Sequence, residues 1–217
     1  PEYSADIIPG LESIPTMSIV MEKDDFWDAY DGENGFDGSV EVIYPNDEYP
    51  SEQFIAEVES HSHLRLKRSL KLDINNSITS NLLKTGPLSG DAATTDFTDT
   101  KFVLRAGNNR AWSRNWYPNK TAFTRDEWHR ASQRAASGIG MPGTFVHLYV
   151  NGLYWGLYNP VQRQDAGYMA TYFGGETGDY MTLTHSGVKS GDPARFNYLN
   201  NTLVNQDMSI QSNYEEA

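Results

Sequence analysis

The chain has no cysteine, and its 217 residues contain no long apolar run. Without cysteine there is no disulfide framework, no zinc–thiolate site and no thiol nucleophile. About 20 consecutive apolar residues are needed to cross a bilayer, so no membrane span is predicted. Apolar residues make up 38% of the chain and aromatic residues 12%, which excludes wholesale disorder and predicts a folded protein.

Basic residues are scarce at the start of the chain. Residues 1–60 contain 16 acidic residues and one basic residue, whereas residues 61–140 contain 13 basic and 6 acidic residues. Residues 141–217 contain 3 basic and 7 acidic residues, so the three net charges are −15, +7 and −4. The acidic block would repel a phosphate backbone, so no nucleic-acid partner is expected, while the basic middle segment could hold phosphate groups locally.

Local patterns predict both strands and helices. Apolar–polar alternation predicts strands over residues 14–21, 39–44, 54–58, 64–74, 102–105, 144–150 and 153–158. Helices are predicted over residues 124–137, 165–173 and about 193–203. The first of them has the apolar residues Trp128, Ala131 and Ala135 on one face. The acidic segment 23–38, with its glycine-containing pairs, predicts turns. The fold class is therefore α+β, a mostly antiparallel sheet with few helices.

Two basic segments are candidates for phosphate binding. In the strand 64–74 the leucines point to one face, and Arg65, Lys67 and Lys71 point to the other. A solvated strand face is the favoured explanation of this row. Arg105, Arg110 and Arg114 surround a Gly-Asn-Asn turn whose backbone amides could bind an oxyanion, and a structural loop explains that pattern equally well.

Three other clusters favour structural roles over chemistry. His61 and His63 could bind a metal only with a third ligand, and none lies nearby in sequence, so no metal site is predicted. The acidic residues of segment 24–37 lack the calcium-loop spacing and indicate a solvated loop. The hairpin aromatics indicate core packing, although they could stack a sugar: Tyr149, Tyr154, Trp155 and Tyr158.

The capping motif at the start of the helix 124–137 allows two interpretations. Thr124 and Glu127 have the spacing of a capping box, in which each side chain binds the other residue's backbone amide. Alternatively, Glu127 could face Lys67, like the lysine–glutamate pair that positions phosphates in kinases.

Several segments together have the motifs of one family. Residues 143–160 read Gly-Thr-Phe-Val-His-Leu-Tyr-Val-Asn-Gly-Leu-Tyr-Trp-Gly-Leu-Tyr-Asn-Pro and resemble the hairpin of the CotH-type spore-coat kinases. Lys-Arg-Ser-Leu-Lys-Leu at 67–72 is similar to the family's basic strand, and Val-Leu-Arg-Ala-Gly-Asn-Asn at 103–109 fits as well. The resemblance spans about residues 10–205.

The resemblance implies an atypical protein kinase fold that transfers the γ-phosphoryl group of ATP to Ser or Thr of a secreted or surface protein. Residues 10–160 would form the nucleotide-side lobe, residues 161–217 would begin the second lobe, and the chain would be one partial domain. The implied nucleotide-binding residues are Lys67, Arg105, Glu127 and Arg163. The implied cofactors are ATP with Mg²⁺ or Mn²⁺, and the implied location is extracellular or at the cell surface.

Departures from the family pattern support a second hypothesis. Gln162 stands where the family has Glu, and Gln164 stands where it often has Pro. The family's catalytic Asp and metal-binding Asn and Asp have no counterpart in residues 176–217, so this chain is expected to be a piece of a longer protein, with no catalytic residue of its own and little activity alone. The alternative is a non-catalytic extracellular binding or adhesion module with a protein or glycan partner.

Overall fold

The computed structural model describes residues 7–32, 34–47, 49–61, 67–74, 101–107, 118–184 and 187–216. The helices are α1 (Ile7–Leu11), α2 (Lys23–Asp31), α3 (Arg125–Ser137), α4 (Ala166–Phe173), α5 (Ala194–Asn201) and α6 (Gln211–Glu216). The strands are β1 (Thr16–Val20), β2 (Phe36–Ile43), β3 (Glu52–Ser60), β4 (Leu70–Ile74), β5 (Lys101–Arg105), β6 (Val146–Val150), β7 (Leu153–Gln162), β8 (Thr182–Thr184) and β9 (Gly187–Ser190).

The chain divides into two compact units, the first ending at Arg163 and the second beginning at Gln164. In the first unit, seven strands form a closed barrel in the order β1-β2-β3-β4-β5-β7-β6. Every described pairing in it is antiparallel except that of β1 with β6, which is parallel and closes the barrel. The sheet and the helices together confirm the α+β class and the mostly antiparallel pairing.

The barrel interior follows the alternation in the sequence. Because side chains alternate across a strand, every second residue of β4 points inward, and Leu70, Leu72 and Ile74 are at most 2% exposed. Lys71 and Asp73 lie on the outer face. The inward residues of the other strands complete one apolar core, which includes Met17, Ile19, Val40, Val42, Phe102, Leu104, Leu148 and Tyr158.

The turns expected over residues 23–38 are wrong for the first half of that segment, where α2 forms. Phe26, Ala29 and Tyr30 are buried at a helical spacing of three and four residues, so burial of this face stabilises the helix. Gly32, with φ 87°, ends the helix in the left-handed region. The Asp31-Gly32 pair therefore marks a helix end, which resembles a turn signal in sequence.

Of the strand predicted over 64–74, the structure describes residues 67–74. Within them Leu70–Ile74 pairs as a strand and Lys67 lies just before it, so the expected row of Lys67 and Lys71 on one strand face does not form. Arg65, which the sequence places in the same row, lies outside the described residues.

Helix α3 has the predicted bounds but neither the predicted cap nor the predicted buried face. The Thr124 backbone is helical (φ −77°, ψ −8°), and its side chain makes no capping hydrogen bond. Trp128, expected to be buried, is 65% exposed, and the one buried residue of the helix is Arg130. Because the buried residue is an arginine, we expect polar contacts to attach this helix to the sheet.

The hairpin of β6 and β7 forms as predicted. Asn151 (φ 49°) and Gly152 (φ 78°) both have positive φ, as a two-residue type I′ turn requires. β7 continues through Pro160 to Gln162, farther than the sequence indicates.

The second unit contains the helices predicted near residues 165–173 and 193–203. Asp165 caps α4, because its side chain accepts hydrogen bonds from the amides of Gly167 and Tyr168. The short hairpin of β8 and β9 was not predicted.

Candidate functional site

Four neighbouring strands bring basic side chains together on the outer face of the barrel. Arg105 of β5 pairs with Asn159 of β7, and Lys71 of β4 pairs with Glu59 of β3. The amide of His61, directly after β3, donates to the carbonyl of Ser69 at 2.8 Å and extends this ladder. We call the outward-facing basic residues of this region the strand-face cluster: His61, Lys71, Arg105 and Arg163.

The pKa of His61 depends on the positive charges of this cluster. Desolvation of its ring lowers the His61 pKa even though the residue as a whole is exposed, and the positive charges of Arg163 and Arg105 lower it further. Lys71 acts in the same direction, whereas Glu59 opposes it. The arginines therefore lie within electrostatic range of one imidazole, where positive charge is in excess.

Two cations of the cluster already contact carboxylates. The Lys71 ammonium lies 2.5 Å from Glu59, and the Arg105 guanidinium lies 2.6 Å from Asp126 at the start of α3. The Arg105 and Asp126 side chains are 42% and 35% exposed, so water screens this pair and its net stabilisation is small. A phosphate could therefore replace Asp126 at little cost.

Glu127 belongs to a buried polar network that fixes α3 on the sheet. Arg130 contacts the Glu127 carboxylate at 2.7 Å and also hydrogen-bonds the side-chain oxygen of Asn159. The Asn159 amide nitrogen donates to Glu127 at 3.0 Å and to the carbonyl of Thr144 at 2.5 Å. In the described residues, Arg130 and Asn159 bind the carboxylate that the kinase-like interpretation pairs with Lys67.

Lys67 lies in a less polar environment beside the middle of β7. Its ammonium donates to the carbonyl of Leu157 at 2.6 Å and lies 4.4 Å from the centre of the Tyr158 ring and 5.5 Å from that of Phe123. Gly156 lies directly against it, since a Cβ there would approach Nζ to 3.2 Å. Burial lowers the Lys67 pKa to about 8 because the charged form loses hydration.

The structure thus brings together some of the residues that the sequence singles out. Arg105 and Glu127 are joined through Asp126, which is adjacent to Glu127 in the chain, and through Asn159, which pairs with Arg105. Arg163 follows the last residue of β7. Its amide donates to the carbonyl of Lys101, and its positive charge lowers the pKa of His61.

The sequence missed Asp126, Arg130 and Asn159 as partners in the site. Their roles follow from strand register and helix docking, and single-chain periodicity contains no signal for either. The sequence suggested His61 as a possible metal ligand, whereas in the structure it lies within electrostatic range of Arg105 and Arg163. Its proposed partner His63, and also Arg110 and Arg114, lie outside the described residues.

The hairpin aromatics divide between the core and the surface. Tyr158 is fully buried, and Trp155 packs with Phe26 of α2 at a ring distance of 5.3 Å, as core packing predicts. Tyr154 is 49% exposed and contacts the rings of Tyr149 and His147.

The described residues contain neither a cluster of metal ligands nor a membrane-spanning helix. Within the described ranges, no three His, Asp or Glu side chains cluster as metal ligands would. In the same ranges, no helix has the length and apolar character to cross a membrane.

No protein-family model matches the chain, and no curated protein matches it. The similarity to the CotH family therefore remains a prediction from the motifs.

Lys67→Met is expected to change how stability depends on pH. The folded protein releases the Lys67 proton near pH 8, whereas the unfolded chain retains it to about pH 10.4. The unfolded state binds more protons in this window, so the wild-type free energy of unfolding should rise relative to that of the variant as pH increases from 8 to 10.

Urea denaturation at pH 7, 8, 9 and 10 measures this difference. The control Lys189→Met, at an exposed lysine of β9, should show the same pH dependence of the free energy of unfolding as the wild type. If the difference in free energy of unfolding between the wild type and Lys67→Met were constant with pH, the Lys67 ammonium would be hydrated in the folded state.

Proposed function

We propose that this chain provides the nucleotide-binding side of a CotH-like atypical protein kinase. The complete protein would transfer the γ-phosphoryl group of ATP, with Mg²⁺ or Mn²⁺, to Ser or Thr of a secreted or surface protein, outside the cell or at its surface. The observation that carries the proposal is the strand-face cluster, where Arg105 and Arg163 act on one imidazole beside Lys71. The sequence motifs supply the family.

The chemistry of the cluster suits a polyphosphate. Guanidinium groups bind phosphate oxygens through paired N–H donors, and charge-assisted hydrogen bonds are roughly twice as strong as neutral ones. His61 would gain a proton as the anion binds, because a negative charge offsets the surrounding arginines. Phosphoryl transfer depends mainly on such positioning and charge stabilisation, which is what this side of a kinase supplies.

Asp126 provides a sharp test, because it competes with the ligand for Arg105. If ATP binds at the cluster, Asp126→Asn should raise ATP affinity about threefold, since the guanidinium is no longer shared with a carboxylate. Arg105→Met should lower the affinity about tenfold, since it removes a charge-assisted contact to phosphate. Isothermal titration of the purified chain with MgATP measures both.

Lys189→Met serves as the control for the loss of one positive charge and should bind ATP like the wild type. If neither Arg105→Met nor Asp126→Asn changes the ATP affinity, the nucleotide does not bind at the strand-face cluster. If the wild-type chain shows no saturable ATP binding, the nucleotide-side role is wrong.

The second candidate is a non-catalytic extracellular binding module. The observation in its favour is that Lys71 and Arg105 already have intramolecular carboxylate partners, as in a cluster that serves stability alone. The exposed Tyr154 ring, with Tyr149 and His147 beside it, would suit a glycan. Saturable glycan binding that Tyr154→Ala abolishes, in a chain that does not bind ATP, would favour this candidate.

A further inference from the structure

Lys67 differs from the strand-face cations in its partners. Lys71 and Arg105 each contact a carboxylate, whereas the Lys67 ammonium contacts a backbone carbonyl and two aromatic rings in the described part of the chain. A carbonyl dipole and ring faces compensate a buried ammonium less well than a carboxylate does. The neutral amine is therefore more accessible at Lys67 than at a lysine that is paired or fully hydrated.

The position of the amine also leaves it able to react. Lys67 as a residue is half-buried, and Gly156 presents no side chain against its nitrogen. In the described part of the chain, the hydrogen bond to the carbonyl of Leu157 holds the nitrogen in place. Desolvation of a lysine in a largely apolar environment is an arrangement that activates amine nucleophiles in proteins.

We propose that Lys67 is a covalent modification site, an amine that accepts acyl groups from small acyl phosphates. This proposal goes beyond the proposed kinase role and does not depend on it. An acyl group on Lys67 would remove a positive charge from this end of the barrel.

The chemistry balances without a further reactant. The neutral amine of Lys67 attacks the carbonyl carbon of the acyl phosphate, and a nitrogen–carbon bond forms. The carbon–oxygen bond to the phosphate breaks, and the phosphate leaves with the electron pair. The nitrogen loses its proton to solvent, and the product is an amide.

Basic residues that follow Lys67 in the chain suit an anionic donor. Arg68, the next residue, has its guanidinium over the Tyr30 ring at 5.2 Å and contacts Asp31 at 3.1 Å, and Lys71 contacts Glu59 at 2.5 Å. The Asp31 and Glu59 side chains are both exposed to solvent, so water screens these pairs and an incoming phosphate can compete for the cations. An acyl phosphate is such an anion at neutral pH.

Acetylation of the wild-type chain by acetyl phosphate, without nucleotide, tests the proposal. Mass spectrometry of peptides would give the acetylation rate of each lysine at pH 7.5. A pKa near 8 instead of 10.5 raises the neutral fraction roughly 200-fold, and lower basicity and partial burial offset part of this gain. We expect Lys67 to react about 10-fold faster than the exposed Lys189, and Lys71, paired with Glu59, to react slowest.

The pH profile provides the second readout. The Lys67 rate should level off between pH 8 and 9, whereas the Lys189 rate should continue to rise toward pH 10. A Lys67 rate equal to or below that of Lys189 at pH 7.5, or a Lys67 profile parallel to that of Lys189, would overturn the proposal. ATP binding by the same preparation reports on the proposed function separately.

Discussion

Arg130→Met is expected to lower the free energy of unfolding by about 3 kcal/mol, because it leaves a buried carboxylate without its cation. The side chains of Arg130 and Glu127 are only 9% and 15% exposed, and they lie 2.7 Å apart. After the substitution, Asn159 would be the remaining side chain among the described residues that donates to Glu127. Urea denaturation at pH 7 measures the loss.

A double-mutant cycle separates the orphaned charge from lost packing. Arg130→Met combined with Glu127→Gln should be more stable than Arg130→Met alone by at least about 1 kcal/mol, because a neutral amide is cheaper to bury than a carboxylate. Arg125→Met makes the same side-chain change on the same helix, outside the network, and should alter stability by less than about 0.5 kcal/mol. Equal losses for Arg130→Met and Arg125→Met would show that the network contributes nothing.

Gly143→Ala is expected to lower the free energy of unfolding by about 2 kcal/mol through a steric clash. A Cβ at Gly143 would lie 2.5 Å from a carboxylate oxygen of Glu127, 3.1 Å from the carbonyl oxygen of Pro160 and 3.2 Å from Val161. The carboxylate cannot move away freely, because Arg130 and Asn159 hold it. Thermal and urea denaturation would both report the loss.

Gly10→Ala is the matched control in the same unit. No heavy atom lies within 4 Å of a Cβ at Gly10, and the residue lies in α1, so the variant should be as stable as the wild type or slightly more stable. If Gly143→Ala also left the free energy of unfolding unchanged, the Glu127 carboxylate would not lie against Gly143.

The sequence predicted those elements whose signal is local. β2, β3, β5 and the β6–β7 hairpin follow from alternation and from Asn-Gly, because one face of each strand is buried in the same core. α2 was missed because Asp31-Gly32 and the following glycines look like turns, although Phe26, Ala29 and Tyr30 have helical spacing.

The docking of α3 shows why the candidate site was harder to predict. Its apolar residues, Trp128 among them, suggested the buried face, yet the face that contacts the sheet contains Glu127 and Arg130. Hydrophobic periodicity cannot find a face held by hydrogen bonds to Asn159, because those bonds depend on a strand that follows later in the chain. The same limit concealed the contact between Asp126 and Arg105.

The parallel pairing of β1 with β6 has a consequence for how the first unit folds. Met17 of β1 lies beside Leu148 of β6, so β1 cannot pair with its second neighbouring strand until nearly all of the unit has been synthesised. Contacts this distant in sequence form slowly, because a long loop must be ordered before they contribute. During synthesis, β1 and β5 are open edges that can pair with other chains, and β6 and β7 cover both edges in one step when their hairpin inserts. The hairpin with the most specific sequence motif is thus also the element that ends the barrel's exposure to aggregation.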